Sequence, residues 1–467
     1  MSLIIPANTL ASGGFNVDNS VRLDGTSAYL YKVNPSTSST NNKRGTVSCW
    51  VKKWGFPNNS IYLINANDNG QERFIIQISN GDQIIGSYRN ASGTNDVDIS
   101  TSLDRVYRDP AAWFHIVVAW NTSDGTGGNR LKLYVNGEEQ ALTFSQDIAQ
   151  DTIIPLNVPN YNSSFPITIG RNYQGGAAQN YLPAYLAEFC FVDGQTLDGT
   201  SFGEFDEDSG IWKPIDVSGL TFGGLGWHLQ FENSSALGTD SNSNGTWTTA
   251  GLAAIDQTTD TPTNNFATLN PLDKSGGGVT VFSEGNLITT APSGGAVVTA
   301  ERSTVGVSSG KWYVELKCIT EGGDIRIGII DMAQSDFPTK ANPYFFTQMY
   351  TYQASNGNKQ NDSTSASYGA TYTAGDIVSI ALDADSGSLT FYKNGASQGV
   401  AYGSLSTSIT WGFVSTLHNL SSMSFNFGNP TFTGTDKTDG NSRGSFEYAP
   451  PSGYLSLCTA NLSEVLG

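Results

Sequence analysis

Leu131-Lys-Leu-Tyr-Val-Asn136-Gly137-Glu-Glu-Gln140 and Leu389-Thr-Phe-Tyr-Lys-Asn394-Gly395-Ala-Ser-Gln398 are one pattern occurring twice, with Leu, Tyr, Asn, Gly and Gln shared in register. Each predicts a strand that enters a two-residue hairpin turn, because Asn-Gly tolerates positive φ at both turn positions. Each copy follows a polar, glycine-containing turn, Ser123–Asn129 in one and Asp385–Ser388 in the other. Each turn follows an apolar strand, Trp113-Phe-His-Ile-Val-Val-Ala-Trp120 and Asp376-Ile-Val-Ser-Ile-Ala-Leu-Asp383. A repeat of this length predicts two related β-sandwiches in which the two Asn-Gly turns occupy equivalent places.

The surrounding sequence carries the same cadence. Val21–Tyr31 reads as two short strands around Asp24-Gly25. In Thr46-Val-Ser-Cys-Trp-Val-Lys-Lys-Trp54, Val47, Cys49 and Val51 alternate with Ser48, Trp50 and Lys52. Further strands at Ser60–Ile64, Arg73–Ser79 and Gln83–Tyr88 keep a spacing near ten residues, as sandwiches and barrels do. Charged residues are 14% of the chain and glycines number 52. The apolar content is β-branched and aromatic, which suits half-buried pleated surfaces. The fold class expected is all-β, two antiparallel sandwiches, with at most one turn of helix near Asp147–Thr152.

The 467 residues exceed one hydrophobic core. The formal charge of −18 opposes binding to phosphate backbones, so no nucleic acid is expected as a partner. No stretch approaches the ~18–20 apolar residues of a membrane span, so no membrane insertion is expected. The first residues lack the basic and apolar regions of a secretory signal, which predicts synthesis in a host cytoplasm. Cys49, Cys190, Cys318 and Cys458 stand singly in apolar strands, which predicts buried free thiols, with a Cys49–Cys190 disulfide as the alternative. Residues 235–275 are rich in Asn, Thr and Gly, yet Trp247, Leu252, Ile255, Phe266 and Leu269 recur, which predicts an ordered connector.

Beyond these patterns, residues 15 to about 215 resemble a laminin-G-like jelly roll. The carrying pieces are Val21–Leu30, Val47–Lys52, Trp113–Trp120, Leu131–Gly137 and Tyr185–Gly194. Residues 276 to 430 resemble a SPRY domain through Gly310–Leu316, Arg326–Ile329, Tyr368-Gly-Ala, Gly375–Asp383 and Leu389–Gly395. Three stretches, Phe202–Pro214, Asp260–Pro271 and Ala449–Leu462, are similar to segments of virion and tail-fibre proteins of phages. With the connector and the apolar tail, the domain plan expected is 1–230 (jelly roll), 231–275 (connector), 276–430 (SPRY-like sandwich) and 431–467 (a strand-forming clasp on the connector and first sandwich, with a neighbouring copy as the alternative). The resemblances imply a virion surface protein in a tail-fibre, head-fibre or decoration position, recognising a host glycan or protein. Other virion proteins and further copies of the chain are then expected partners.

The acidic run Glu204-Phe-Asp206-Glu-Asp208 is the sharpest enzymatic candidate, but it is an incomplete catalytic set. Glycoside hydrolases place a carboxyl pair ~5–5.5 Å apart when retaining, and period-two spacing puts such a pair on one strand face. Here Asp208 sits beside Ser-Gly in a turn, which predicts a solvated acidic loop and no enzyme. A glycan-degrading depolymerase is the alternative, and a purely structural decoration protein a third reading. His115, His228 and His418 lack metal-ligand spacing. No cofactor is expected except calcium, for which Asp68 (with Asn67 and Asn69) and Asp124 (with Asn121) offer hard oxygens. Sugar contact needs aromatic faces beside amides, a mixture found in Asn342–Asn358. Tyr344, Tyr350, Tyr352 and Asn356 are the binding candidates there, with Phe345 expected in the core.

Overall fold

A computed structural model describes residues 14–466 apart from 69–71, 90–95, 102–104, 145–146, 162–165, 175–176, 277, 279 and 295–297. The chain forms two compact units that divide between Thr263 and Asn264. Both are antiparallel sandwiches, so the all-β expectation holds.

In the first unit, sheet A runs Glu138–Glu139, Leu131–Val135, Phe114–Asn121, Arg44–Lys53, Ala184–Asp193, Ser20–Arg22 and Gln257–Thr258, with Trp227–Leu229 also paired to Ala184–Asp193. Sheet B runs Leu142–Phe144, Asp96–Thr101, Ile84–Arg89, Glu72–Ile78, Ile61–Asp68, Ile167–Ile169, Tyr29–Lys32 and Thr248–Ala250. The alternation at 47–51 works as read: Val47, Cys49 and Val51 join the core between the sheets. The opposite face of sheet A is covered too. Residues after Asp193 fold back over it, burying Phe202, Val217 and Phe222 on Val117, Cys190 and Val192, and Trp212 on Trp50 and Ala187. A bulge in Ala184–Asp193, where Glu188 has φ of 45°, shifts the register between the two halves of that strand.

The 231–275 stretch is divided between the units rather than linking them as one piece. Thr248–Ala250 and Gln257–Thr258 pair into sheets B and A, and Leu269–Gly276 belongs to the second unit. Asp260 fixes the first of these attachments. Its carboxylate meets Lys52 Nζ at 2.7 Å with both side chains fully buried, and accepts the Trp113 indole N–H at 2.9 Å. Trp247 is buried in the core. All four cysteines are buried free thiols, and no bond joins Cys49 to Cys190.

Sheet C of the second unit runs Leu269–Gly276, Val298–Val307, Trp411–His418, Ile325–Asp331, Met349–Gln353, Asn358–Asn361 and Thr364–Ser367. Sheet D runs Val281–Ser283, Ile288–Thr290, Ser422–Asn426, Lys311–Thr320, Ile377–Asp383, Ser388–Lys393 and Ala396–Tyr402. The repeated hairpins are built alike. Asn136 and Gly137 have φ of 48° and 79°, Asn394 and Gly395 have 47° and 78°. Each Asn side chain accepts a backbone N–H from the start of the preceding strand, His115 at 2.8 Å and Ile377 at 2.9 Å. In both units the hairpin supplies the edge of a sheet, with that preceding strand next in order.

The C-terminal stretch, read as a strand-forming clasp on the connector and first sandwich, does meet the connector at Phe266 and Ala267, but within the second unit, where its apolar side chains are buried. Leu457 lies in that unit's core, and Cys458 packs on Phe266. Backbone bonds thread it between neighbours: Tyr313 N–H to Leu455 O at 2.9 Å, and Ala267 N–H to Leu457 O at 3.0 Å. The buried Glu315 carboxylate accepts the N–H groups of Glu447 and Tyr448, both at 2.8 Å. Thr459–Leu466 is an α-helix rather than strand, with Leu462 and Val465 turned to the core at helical spacing. It is the one α-helix among the described residues, and no helix there is long and apolar enough to cross a membrane.

Deleting residues 446–467 strips Phe446, Leu457 and Leu462 from the second unit, so calorimetry should show that unit's transition lowered or lost and the first unit's unchanged. A separate outcome is expected from pH. Glu301, fully buried, accepts the Thr280 hydroxyl at 2.6 Å, and burial pushes its carboxyl up to about 7. The folded second unit therefore binds a proton that the unfolded chain releases at ~4.5. The contribution of Glu301 is greatest below about 4.5 and is lost, by about 3 kcal/mol, as pH rises through 7. Burial raises Glu315 too, which adds a slope of the same sign, while the lowered Asp376, Asp383 and Asp439 act the other way in acid. Glu301→Gln should therefore reduce the fall near pH 7 in urea titrations run at several pH values.

Candidate binding site

The second unit uses its sequence-predicted aromatics largely for itself. Tyr352 is fully buried, its hydroxyl donating to the Ala370 carbonyl and its ring packed with Tyr368, Tyr372 and Phe391. No sugar can stack on it. Tyr350 is half-buried, edge-on to Tyr402 at 4.9 Å and Trp411 at 5.6 Å. Tyr344 is half-buried over the Arg326 guanidinium at 3.8 Å, and burial raises its phenol well above the usual range. Asn356 is exposed, and its side-chain oxygen accepts the Asn358 N–H at 2.9 Å, which serves a turn. Phe345, expected in the core, is 38% exposed, and the neighbouring Phe346 is the buried ring. The strand begins only at Met349, so period-two alternation does not extend back to 345.

On the calcium candidates, the side chain of Asp68 lies outside the described residues. The Asp124 carboxylate accepts the Thr126 N–H at 2.8 Å within its own turn. Among the described residues no three His, Cys, Asp or Glu side chains gather as a metal cluster.

The acidic stretch at 204–208 is the tip of a hairpin: Glu204, Glu207 and Asp208 are exposed, as a solvated run would be, and Asp206 is buried. Gly203–Phe205 pairs with Trp212–Pro214, and the Asp206 carboxylate closes the turn by accepting N–H groups of Ser209 at 2.9 Å and Asp208 at 3.2 Å. Those bonds, led by Ser209, and the Lys213 ammonium at 3.2 Å hold Asp206 down at about 2. Lys213 also meets Glu204 at 3.3 Å, so an ammonium sits between the two carboxylates. A carboxyl ionised down to that pH is no proton donor at neutrality.

What the hairpin presents is Phe205. The residue is 50% exposed, and its ring stands edge-on to Trp212 at 4.9 Å. Trp212 is itself fixed: its indole N–H donates to His115 Nδ1 at 3.1 Å, and His115 stacks on Trp50 at 4.8 Å. His115 Nε2 meets Ser48 Oγ at 2.8 Å, and burial pushes the imidazole down to about 3, so it is a neutral spacer. Gly137 lets the Trp212 ring approach, since a Cβ there would sit 2.3 Å from Cζ3. Phe205 thus caps a rigid aromatic column beside an open groove of about 530 Å³. Arg105, Tyr107, Asn136, Glu138, Phe205 and Trp212 are among the residues that line it. Arg105 donates to Gln140 Oε1 at 2.8 Å and stands 3.8 Å from Glu138, both charges largely exposed. Tyr107 stacks on Phe114 at 5.4 Å. Aromatic faces beside amide, guanidinium and carboxylate groups can hold a ring with one apolar side and several hydroxyls. The sequence flagged this hairpin for its carboxylates, and nothing in it marked Phe205 or the distant Arg105–Tyr107 as neighbours.

Residues 24–196 match the concanavalin A-like lectin/glucanases superfamily, and residues 311–430 match the SPRY domain. Among solved structures, the SPRY domain of human HERC1 is similar at 17% identity, covering 34% of this chain and 96% of that one, with a TM-score of 0.28. A second human SPRY domain is similar at 16% identity over 30% and 90% of the two chains, TM-score 0.26. The heptameric SAP-like pentraxin of Limulus polyphemus is similar at 16% identity over 39% and 80%, TM-score 0.27. The chain therefore carries a concanavalin A-like domain followed by a SPRY domain.

Proposed function

We propose that this is a non-catalytic recognition protein displayed on a virus particle, and that the groove of its first unit takes a host-surface glycan. The observation that carries the reading is the half-exposed Phe205 on its rigid mount beside Arg105, Tyr107, Asn136 and Glu138. Leaving an aromatic ring in water while fixing it through Trp212 and His115 preorganises a stacking surface, which lowers the ordering cost of binding. Two domains of binding type support recognition as the role. The particle location, in a tail-fibre, head-fibre or decoration position alongside other virion proteins and further copies of the chain, rests on the likeness of 202–214, 260–271 and 449–462 to virion protein segments. No cofactor enters this reading.

A glycan array probed with the wild-type chain and with Phe205→Ala tests it. The wild type should bind a defined set of glycans, and the variant should lose affinity about tenfold, ~1.4 kcal/mol. Its thermal transition should shift little, because the residue is already half exposed. A blank wild-type array with tight binding to capsid or tail subunits would instead favour a structural decoration protein. Release of reducing ends from a bound polysaccharide would make it a depolymerase.

A further inference from the structure

A second, smaller pocket lies on sheet B, away from the groove's strands, and it surrounds a buried amine. Lys32 ends the strand Tyr29–Lys32 on the same side as Leu30, so its side chain enters the interior, and the residue is 6% exposed. Its Nζ donates to the Asn244 carbonyl at 2.8 Å. The neighbouring carboxylate, Asp240, is 3.9 Å away. Asp240 already accepts the N–H groups of His228 at 2.9 Å, Asn242 at 2.9 Å and Asn244 at 3.1 Å. An ammonium has three donors. Among the described residues, one has an acceptor at hydrogen-bond distance and a second has only a long ion pair. Burial lowers the amine from its ordinary range despite Asp240.

Two further observations point to an absent acceptor. Lys32 lines a pocket of about 290 Å³ with Tyr31, Pro35, Pro166, Thr246 and Thr248. Trp247, between the two threonines in sequence, is buried in the core edge-on to Trp227, with its ring centre 6.0 Å from the ammonium. Gly245, also in the lining, has φ of 99° and no side chain where a Cβ would stand 3.9 Å from Lys32 Nζ. A buried donor without an acceptor is costly to leave unmade. A chain of formal charge −18 has here placed a cation and two threonines around one small cavity.

We infer that this pocket binds the carboxylate of a sugar acid. The carboxylate oxygens take the spare Lys32 donor, the sugar hydroxyls meet Thr246 and Thr248, and Tyr31 with the two prolines packs the apolar side of the ring. The inference is independent of the groove around Phe205. The test titrates the full chain with D-glucuronate, D-glucose and sodium acetate, read by tryptophan fluorescence and saturation-transfer NMR. Glucuronate should bind saturably, acetate should compete, and glucose should not bind. Lys32→Met should weaken glucuronate binding at least tenfold. Thr246→Phe, which fills the mouth and leaves the amine in place, should do the same, and Phe205→Ala should leave it intact. Equal binding of glucose and glucuronate, no saturable signal from glucuronate, or unchanged affinity in both pocket variants would overturn the inference.

Discussion

The contact between Lys52 and Asp260 decides how much of the chain is one folded body. Two opposite charges at 2.7 Å, both removed from water, are costly to bury and more costly to separate. Asp260 uses its remaining carboxylate oxygen on the Trp113 indole, while its carbonyl takes the Ser20 hydroxyl at 2.6 Å. The Thr-rich segment at 257–263, with little apolar surface of its own, is thereby held against sheet A. Gln257–Thr258 can then pair with Ser20–Arg22, and the first unit is closed from residue 14 to Thr263.

The same sheet owes its candidate site to being covered on both faces. The segment after Asp193 exists as structure because Val117, Cys190, Val192, Trp50 and Ala187 present an apolar outer face that must be hidden. Hiding it places Trp212 over the Asn136-Gly137 turn, and Trp212 in turn supports Phe205. The exposed ring is therefore a by-product of burial elsewhere, which is why it is so firmly held. Substituting the mount, His115 or Trp212, perturbs the outer core as well as the groove.

Much of the fold was legible because its strongest signals are local. An Asn-Gly turn needs positive φ at two successive residues, and Asn136-Gly137 and Asn394-Gly395 announce that in the sequence. The long strands alternate cleanly. What stayed hidden was carried by short or nonlocal elements. Thr248–Ala250 and Gln257–Thr258 are strands of three and two residues, below any periodicity, so their stretch read as a connector. The terminal helix has eight residues and follows an apolar run that reads equally well as strand. The aromatic stretch at 342–352 promised a surface, but only its first part is outside the sheet, and Tyr352 faces the core. The groove joins residues near 105, 136 and 205, an adjacency no window on the sequence contains.

The two equivalent hairpins leave their units with different borders. In the first unit the outermost strand of sheet A is only Glu138–Glu139, two exposed anions on a strand too short to pair with anything further. Its counterpart, Ala396–Tyr402, is seven residues long, uncharged, and carries an exposed Val400. Sheet C also finishes on an uncharged strand, Thr364–Ser367, exposed along its whole length. Sheet borders can invite another strand to join, but on Ala396–Tyr402 the carbonyls of Ala396, Gly399 and Ala401 already accept the side chains of Gln398, Tyr368 and Lys359. Bulges at Leu389/Thr390 and Thr390/Tyr392 distort one of these borders, and no such kink marks the other. The rim that ends each repeated hairpin is thus short and acidic in one half of the chain, long and uncharged in the other.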